Sequence, residues 1–258
     1  MSVTYNMPVQ EQAPVALSNF QQRLMSYIQS GRESVASQKM FQVAQHLEQL
    51  KIRTALDIGS WHLKQTLEIV HAFPDCLVHA FEPAPDNFDL CRRTHASMNP
   101  AERSRVKVWN VACGSTNGPV DFYVIDETLG DRNAGAASKF KFKPGMNGSF
   151  YNQRWEQKHV QVQQLKLDDW QTKYEVGPVD LIWIDVQGGE LDAFRGAERM
   201  LDDVHIIFTE VGLQAYYEGQ SLKPQIDEFL ASKGFREIVD AFELNGFEYE
   251  GNTVYVRA

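Results

Sequence analysis

Hydrophobic positions along the chain alternate between short β-rich runs and longer stretches with helical spacing. From residue 52 onward, this pattern predicts strands at about 53–58, 77–82, 106–111, 179–185, 204–210, 235–240 and 252–257. It also predicts helices at about 62–73, 85–97, 189–201 and 221–233. Strands that alternate with helices are typical of a parallel sheet covered on both faces. We therefore expect an α/β fold with a doubly wound, mostly parallel seven-stranded sheet in residues 51–258.

The first 50 residues have a different pattern. Residues 1 to about 15 contain two prolines and several glutamines and are typical of a flexible lead-in. Apolar residues at helical spacing then predict two helices, one after Ser18 as N-cap and one after Ser34. We expect this 1–50 extension to pack on the core or to cover a ligand cleft. Its apolar stripe also offers a contact surface for a second subunit.

One long segment interrupts the alternation of strands and helices. It lies between a hairpin-like run at 120–125 and a predicted strand near 159–165, and it is rich in glycine. Segments of this length inside a compact domain are typical of lids and substrate loops, so we expect residues 126–158 to cover a substrate. Lysines and phenylalanines alternate at 139–143, which fits an edge strand equally well.

Composition and charge narrow the classes of protein. The chain has 25 Lys+Arg against 34 Asp+Glu, a formal net charge of −9, which disfavours nucleic acid as a partner. No apolar run reaches the roughly 20 residues that cross a bilayer, and the N-terminus does not resemble a secretory signal. The cysteines lack the paired spacing of a zinc site. We expect a cytoplasmic protein, not bound to membranes, that acts on a small molecule.

Acidic residues stand at the ends of four predicted strands. Asp57 ends the first strand just before Gly59, Glu82 ends the second, Asp185 the fourth and Glu210 the fifth. Ligands of open parallel sheets bind at the carboxyl ends of the strands, and a carboxylate about 20 residues after a glycine turn suits the two hydroxyls of a ribose. Each acid taken alone fits a helix N-cap equally well. Together they predict an acidic ligand cleft.

The residues after Gly59 discriminate between nucleotide cofactors. A dinucleotide site needs the further glycines of G-x-G-x-x-G to approach a pyrophosphate, whereas this chain continues with Ser60, Trp61, His62 and Leu63. S-adenosylmethionine (SAM) carries no phosphate, and an acidic cleft complements its positively charged sulfur. The sequence therefore favours SAM, and a nicotinamide-dependent oxidoreductase remains an alternative.

Six blocks of sequence along the predicted sheet occur together in one family of enzymes. They are Asp57-Ile58-Gly59, Phe81-Glu82-Pro83-Ala84-Pro85, Asn110-Val111-Ala112, Leu167-Asp168, and residues 179–190 and 206–211. In these blocks the chain resembles the FkbM-type methyltransferases over roughly residues 52–240. The resemblance implies a Rossmann-like, SAM-dependent methyltransferase fold. It also implies O-methylation of a hydroxyl on a small molecule of the secondary metabolite, polyketide, peptide or sugar type.

The resemblance, together with the residues of the glycine turn and the aromatic residues of the chain, gives a set of expected site residues. Those expected to surround SAM are Asp57, Gly59, Ser60, Trp61, Glu82, Ala112 and Asp185, with Glu82 on the ribose. Those expected near the substrate are Ser149, Phe150, Tyr216 and Tyr217.

Five positions depart from the family pattern. Ser60 and Trp61 replace an Ala-Asn pair, and Leu63 replaces a second glycine. Bulky side chains adopt positive φ only at a cost, so we expect the loop to differ locally. Gln187 stands where the family usually has an acid, and Trp183 where it usually has a lysine. An altered loop leaves open a second function, that of a catalytically impaired, methyltransferase-like binding or interaction protein.

Methyl transfer to an alcohol needs alignment and removal of the hydroxyl proton. The candidate bases are Asp185, Glu210, His62 and His159. Asp185 and Glu210 end neighbouring strands, so we expect their carboxylates to meet in the cleft. There they would either act directly on the hydroxyl or hold Mg²⁺, which takes oxygen ligands and often only one or two carboxylates.

Overall fold

The computed structural model describes residues 17–31, 35–130, 132–147, 154–239 and 249–258 of the chain. Within these ranges the chain forms a seven-stranded sheet with helices on both faces. Six strands run in one direction, and the last strand of the chain runs antiparallel to both of its neighbours. The predicted α/β fold with a doubly wound, mostly parallel sheet is confirmed.

The first strand lies near the middle of the sheet. In spatial order the strands are β3 (Val106–Trp109), β2 (Leu77–Phe81), β1 (Thr54–Ile58), β7 (Leu181–Ile184), β8 (Ile206–Gly212), β10 (Glu250–Arg257) and β9 (Phe235–Val239). All seven lie within a few residues of their predicted positions. The strand order reverses between β1 and β7, which opens a crevice at the carboxyl ends of these strands.

The predicted helices are all present, and the structure adds short helices that the pattern did not predict. The helices are α1 (Asn19–Gln29), α2 (Val35–Gln42), α3 (Ala44–Leu47), α4 (Lys64–Ala72), α5 (Pro85–Ser97), α6 (Pro100–Arg103), α7 (Leu167–Lys173), α8 (Glu190–Arg195) and α9 (Lys223–Ser232). The helix predicted at 189–201 is wrong in length, because α8 already ends at Arg195. The next residue, Gly196, packs so closely that a Cβ there would lie 2.0 Å from the Gly114 carbonyl oxygen. The sequence pattern also missed α7.

A small second sheet lies beside the main one. It consists of β4 (Ala112–Cys113), β6 (Gln157–Leu165) and β5 (Gly118–Ile125), and β5 and β6 form an antiparallel pair. The alternating lysines and phenylalanines at 139–143 do not form an edge strand. Isolated bridges tie this part of the chain to β5 at Ser138 and to a later loop at Phe142. Residues 132–147 of this segment therefore contact both β5 and the loop at Tyr217.

The N-terminal helices belong to the hydrophobic core. Phe20 and Leu24 of α1, Met40 of α2 and Leu47 of α3 are buried in one cluster with residues of α4 and the central strands. Ser18 caps α1 in a capping box with Gln21. The apolar stripe packs inside the chain, and contact with a second subunit through these helices stays a prediction.

The described residues contain no helix long and apolar enough to cross a membrane.

The turn after β1 brings two backbones into contact. Gly59 has a φ of +87°, and a Cβ at this position would lie 1.8 Å from the carbonyl oxygen of Asp185, just after β7. The N–H groups of Gly59 and Ser60 both donate to the carbonyl of Phe81 at 3.0 Å. Glycine is required here mainly because the neighbouring backbone lies too close for any side chain, and the positive φ is a further reason.

Gly59→Ala is expected to destabilise the protein more than Gly31→Ala, its matched control. Both glycines have positive φ, and alanine in this conformation costs about 1–2 kcal/mol. At Gly31 nothing lies within 4 Å of an added Cβ, whereas at Gly59 the clash with a backbone oxygen adds about 1–3 kcal/mol. Urea unfolding of the two variants measures the difference. Equal losses of stability would contradict the contact.

Candidate active site

Two adjoining pockets open at the carboxyl ends of the central strands. The inner pocket lies over β1 and β2, and its wall includes Glu82, Asn87, Val111, Ala112, Phe122, Lys139 and Gln164. The outer pocket, with a volume of about 400 Å³, lies over β7 and β8, and its wall includes Gln65, Phe142, Trp155, Gln187, Tyr216, Tyr217 and Glu250. Both pockets share Gly59, Trp61, Gly135 and Asp185. The two pockets therefore adjoin at these four residues, and Asp185 is the one acidic residue among them.

Glu82 is oriented by backbone groups on both sides of its carboxylate. One oxygen accepts from the Trp61 N–H at 2.8 Å and the other from the Ala84 N–H at 2.9 Å. Each carboxylate oxygen retains a second lone pair, and the residue lines the inner pocket. Burial raises the pKa of Glu82 to about 7, against the opposing effect of these hydrogen bonds. The side chain of Asn87 also hydrogen-bonds this carboxylate, which is thus fixed in position at the wall of the inner pocket.

Asp57 and Ser60 do not reach the inner pocket, contrary to the contacts with SAM that we expected for them. Asp57 is fully buried, accepts a hydrogen bond from the Thr66 hydroxyl, and burial raises its pKa to about 7. The Ser60 hydroxyl donates to the carbonyl of Asp57 at 2.8 Å. Both side chains hold β1, the glycine turn and α4 together. Gly59 and Ala112 do line the inner pocket, as the resemblance implied.

The loop after Gly59 keeps a left-handed backbone in spite of its large side chains. Trp61 has a φ of +46° and Leu63 a φ of +67°, so the loop adopts the positive φ that we expected bulky side chains to avoid. Leu63 is buried in the core, and Trp61 lies where the two pockets and residue Gly135 meet. Holding such residues at positive φ costs about 1–3 kcal/mol each.

The two histidines considered as bases lie elsewhere. His62 packs against Trp61 with ring centroids 4.1 Å apart and lines neither pocket, so its predicted position in the cleft is wrong. His159 lies on β6, where its Nε2 pairs with Asp121 at 2.8 Å. The structure therefore brings neither imidazole to the place where the pockets meet.

Asp185 and Glu210 come together, and an amide lies between them. The Nε2 atom of Gln187 donates to Asp185 Oδ1 at 2.8 Å and to Glu210 Oε2 at 2.9 Å. Burial raises the pKa of Asp185, and the hydrogen bond from Gln187 opposes that shift. The pKa of Glu210 is raised well above its usual value, first by burial and then by repulsion from Asp185. The pair therefore holds a proton more readily than isolated carboxyl groups do.

The space between these acids does not fit Mg²⁺. Carboxylate oxygens of Asp185, Glu190 and Glu210 lie within 4.8 Å of one another, which is close enough for a shared cation. However, Gln187 directs N–H groups at Asp185 and Glu210, and an N–H donor aimed into that space opposes a cation. One oxygen of Glu190 already accepts from the N–H groups of Val186 and Gly188 at 3.0 and 3.2 Å.

Aromatic side chains form much of the outer pocket. Phe142 stacks on Tyr217 with ring centroids 4.8 Å apart and lies 5.9 Å from the ring of Trp155. The Tyr217 hydroxyl lies 2.9 Å from Gln187 Oε1 and 3.1 Å from the Ala136 carbonyl. Tyr216 also lines this pocket. Two further residues that we expected near the substrate, Ser149 and Phe150, lie outside the described residues.

Sequence reasoning missed the residues by which the 126–158 segment contacts the site. Lys139 forms an ion pair with Asp192 of α8 and donates to Gln164 Oε1 at 3.2 Å, at the wall of the inner pocket. Ser138 donates to the carbonyl of Gln187 at 2.8 Å. The partners of these side chains lie 25 to 53 residues away along the chain, and no local pattern indicates such pairs.

Comparisons with known proteins agree with this geometry. A family model described as a methyltransferase FkbM domain matches residues 54–237. The chain is 28% identical over 228 residues to the 2-O-methyltransferase NoeI of Sinorhizobium fredii (strain NBRC 101917 / NGR234), and the match covers 88% of each chain.

Two solved structures have a related shape. Magnesium protoporphyrin IX methyltransferase (ChlM) from Synechocystis PCC 6803, with SAM bound, aligns with a TM-score of 0.46 at 10% identity, over 95% of this chain and all of that one. The precorrin-6y C5,15-methyltransferase from Geobacter metallireducens GS-15 aligns with a TM-score of 0.43 at 15% identity, over 83% of this chain and 86% of that one.

The family match spans more than half of the chain and includes β1, β2, β7 and β8, which carry the two pockets. It confirms the resemblance found in the sequence and excludes the nicotinamide alternative. The chain belongs to the FkbM methyltransferase family and is a SAM-dependent methyltransferase.

Proposed function

We propose that this methyltransferase transfers a methyl group from SAM in the inner pocket to a hydroxyl oxygen of a small molecule in the outer pocket. The observation that carries the proposal is the shared wall, because Asp185 lines both pockets and is paired with a second carboxyl group. The name of NoeI, a 2-O-methyltransferase, supports oxygen as the acceptor atom.

The inner pocket suits SAM in shape and charge. Glu82 would accept hydrogen bonds from the ribose hydroxyls, and the apolar wall at Val111, Ala112 and Phe122 would contact the adenine. SAM, when bound, supplies a methyl group already activated by its sulfonium. The residues of the chain have only to align the acceptor and remove its proton.

Asp185 and Glu210 would act as the base that takes this proton. A base works best when its pKa lies near the working pH, and burial raises the pKa of both carboxyl groups toward that range. Asp185 lies at the wall of the outer pocket, with Glu210 linked to it through Gln187. We propose that the pair acts directly, without Mg²⁺, because the amide of Gln187 lies where a cation would bind.

The outer pocket favours an uncharged acceptor with a ring. Its aromatic residues Trp61, Phe142, Trp155 and Tyr217 offer flat apolar surfaces. Among the described residues, no lysine or arginine lines this pocket, whereas Asp185 and Glu250 do. A phosphate or carboxylate on the acceptor would therefore be buried against negative charge.

The 126–158 segment would act as a lid over both pockets. Within it, Gly135, Ala137 and Lys139 line the inner pocket, and Phe142 and Met146 line the outer one. We propose that residues 51–258 form the methyltransferase domain and that residues 1–50 are an extension of it.

Isotope transfer tests the function. The protein is incubated with SAM carrying a trideuterated methyl group and with a panel of neutral and anionic hydroxyl compounds, and products are searched by mass spectrometry. Labelled ethers of neutral compounds are expected. If SAM binds in calorimetry but no acceptor is labelled, the alternative of a catalytically impaired binding protein is favoured. Labelling of anionic compounds alone would contradict the proposed acceptor class.

Glu82→Ala is expected to weaken binding of SAM and of its demethylated product by about 10- to 100-fold, the scale of a hydrogen bond to a charged group. Asp86→Ala is the matched control, because Asp86 is an exposed acid four residues away that does not line the inner pocket. Calorimetry measures both affinities. Equal affinity for Glu82→Ala and the control, with the fold intact, would disprove the assignment to the ribose.

Asp185→Asn and Glu210→Gln are each expected to lower kcat by roughly 100-fold or more, because a positioned base contributes about that factor. SAM affinity should change much less, since neither carboxylate replaces Glu82 on the ribose. Chelation by EDTA should leave kcat unchanged. Near-normal turnover in both variants would contradict the role of the two acids as the base and would leave substrate alignment alone to explain the reaction. Loss of activity with EDTA that Mg²⁺ restores would contradict proton removal by the acids without a metal ion.

Hydrogen exchange tests the lid. Amides of residues 132–147 are expected to exchange faster than those of β1 and β7 in the free enzyme and to slow down when the demethylated product of SAM is added. Helix α9 is the control and should not respond, because its residues line neither pocket. Exchange in the segment that is as slow as in the central strands and unaffected by ligand would contradict a lid.

A further inference from the structure

We propose that Gln187 is a positioning residue that clamps Asp185 and Glu210 into one unit and couples them to the wall of the outer pocket. The proposal rests on the proposed role of the two acids as the base. Gln187 was notable in the sequence only because an acid is usual at this position in the family.

The side chain of Gln187 uses both ends of its amide. Its two N–H groups serve two different carboxylates, Asp185 at 2.8 Å and Glu210 at 2.9 Å. Its carbonyl oxygen lies 2.9 Å from the hydroxyl of Tyr217. The residue therefore joins the ends of two adjacent strands to a loop that forms the pocket wall.

The orientation of the amide follows from its partners. The reverse orientation would place a carbonyl oxygen against two carboxyl groups and an N–H group against the Tyr217 hydroxyl. Only the observed orientation supplies donors to both Asp185 and Glu210 when they are ionised. The two carboxyl groups therefore select this orientation, since the Tyr217 hydroxyl can either donate to the amide oxygen or accept from the amide nitrogen.

The backbone of Gln187 is held in an uncommon conformation. Its φ is +53°, and Gly188 follows with a φ of +97°. The Gln187 carbonyl accepts from the Ser138 hydroxyl at 2.8 Å, and an added Cβ at Gly188 would lie 2.8 Å from the side chain of Gln220. These contacts keep the amide directed at the acids, against a conformational cost of about 1–3 kcal/mol.

The groups around the pair are acidic or neutral. Repulsion from Glu190 and Glu250 adds to that between Asp185 and Glu210, and Tyr217 faces the same acids. Tyr216 faces Glu210 and Glu250. Among the described residues, no lysine or arginine lines the outer pocket to offset this charge. The amide donors of Gln187 are therefore the stabilising contacts that the structure supplies to both ionised acids at once.

The substitution Gln187→Glu would replace the stabilisation of the two ionised acids by repulsion. The carboxyl group that it introduces would donate only when protonated, and then through one hydrogen instead of two. Once ionised, that group would add a further negative charge beside Asp185 and Glu210. Stability then becomes a direct measure of the clamp, because the pKa values of buried acids set how stability depends on pH.

Burial raises the pKa of both acids above the unfolded values of about 4. The stability that they contribute is therefore complete at low pH and is lost as the pH rises through the folded pKa values. Without the amide those pKa values rise further. The loss then extends to higher pH and becomes larger.

The test measures thermal unfolding of the full chain, without SAM or acceptor, at pH 5, 7 and 9. Gln187→Met keeps the length of the side chain and removes the amide. Its Tm deficit relative to the unchanged protein is expected to grow by about 4 °C or more from pH 5 to pH 9. Gln187→Glu should lie near the unchanged protein at pH 5 and show the largest deficit at pH 9.

Gln65→Met is the matched control. Gln65 lines the same pocket, and in the described part of the chain no hydrogen bond joins it to either acid. Its Tm deficit should be the same at all three pH values. A deficit for Gln187→Met that is also independent of pH would overturn the proposal. Such a deficit would show that Gln187 contributes only packing, which does not depend on the protonation of the acids.

A second variant keeps the proposal testable if Gln187→Met does not fold. Tyr217→Phe removes the hydrogen-bond partner of the Gln187 carbonyl oxygen and so loosens the clamp, and a smaller deficit that grows with pH is expected. A deficit independent of pH would overturn the clamp. With an acceptor in hand, the acidic limb of the kcat profile should move up by about one pH unit in either variant. An inactive unchanged protein would contradict the proposed function alone, because the thermal test does not depend on turnover.

Discussion

The close contact between the turn at Gly59 and the end of β7 determines how the active site is built. The backbone of Asp185 approaches so near to Gly59 that a single Cβ would overlap its carbonyl oxygen. This contact brings the glycine turn, which borders the inner pocket, against the strand that carries the proposed base. Both pockets share these two residues, so the distance between donor and acceptor sites is set by rigid backbone. Alignment of this kind is the main contribution that a protein makes to a displacement at an activated methyl group.

Buried carboxyl groups surround this contact, and each accepts at least one hydrogen bond. Glu82 accepts from two backbone N–H groups, and so does Glu190. Asp57 accepts from Thr66, and Asp185 shares an amide with its partner acid. Ion pairs contribute little here, because Lys139 lines the inner pocket but is engaged by Asp192. The site therefore keeps an acidic character that complements a sulfonium, while hydrogen bonds reduce the cost of burying the acids.

The sequence predicted the frame of this site better than its contacts. Hydrophobic periodicity located all seven strands, and the acids at their ends marked the ligand cleft, because both signals are local along the chain. Side-chain direction was harder to predict. Asp57 turns into the sheet instead of the pocket, and His62 packs beside Trp61. The role of Gln187 depends on Glu210 and Tyr217, which are 23 and 30 residues away and meet it only through the sheet order and a later loop.

Leu63 shows how a buried side chain can offset an unfavourable backbone conformation. Its backbone keeps the left-handed conformation that glycine adopts freely, at a cost of about 1–2 kcal/mol. Its side chain is completely buried, and removing a buried leucine costs about 2–5 kcal/mol. The substitution Leu63→Gly would therefore remove the smaller conformational cost and lose the larger stabilisation from the buried side chain. The core around Leu63 thus stabilises a turn whose backbone conformation would suit glycine better.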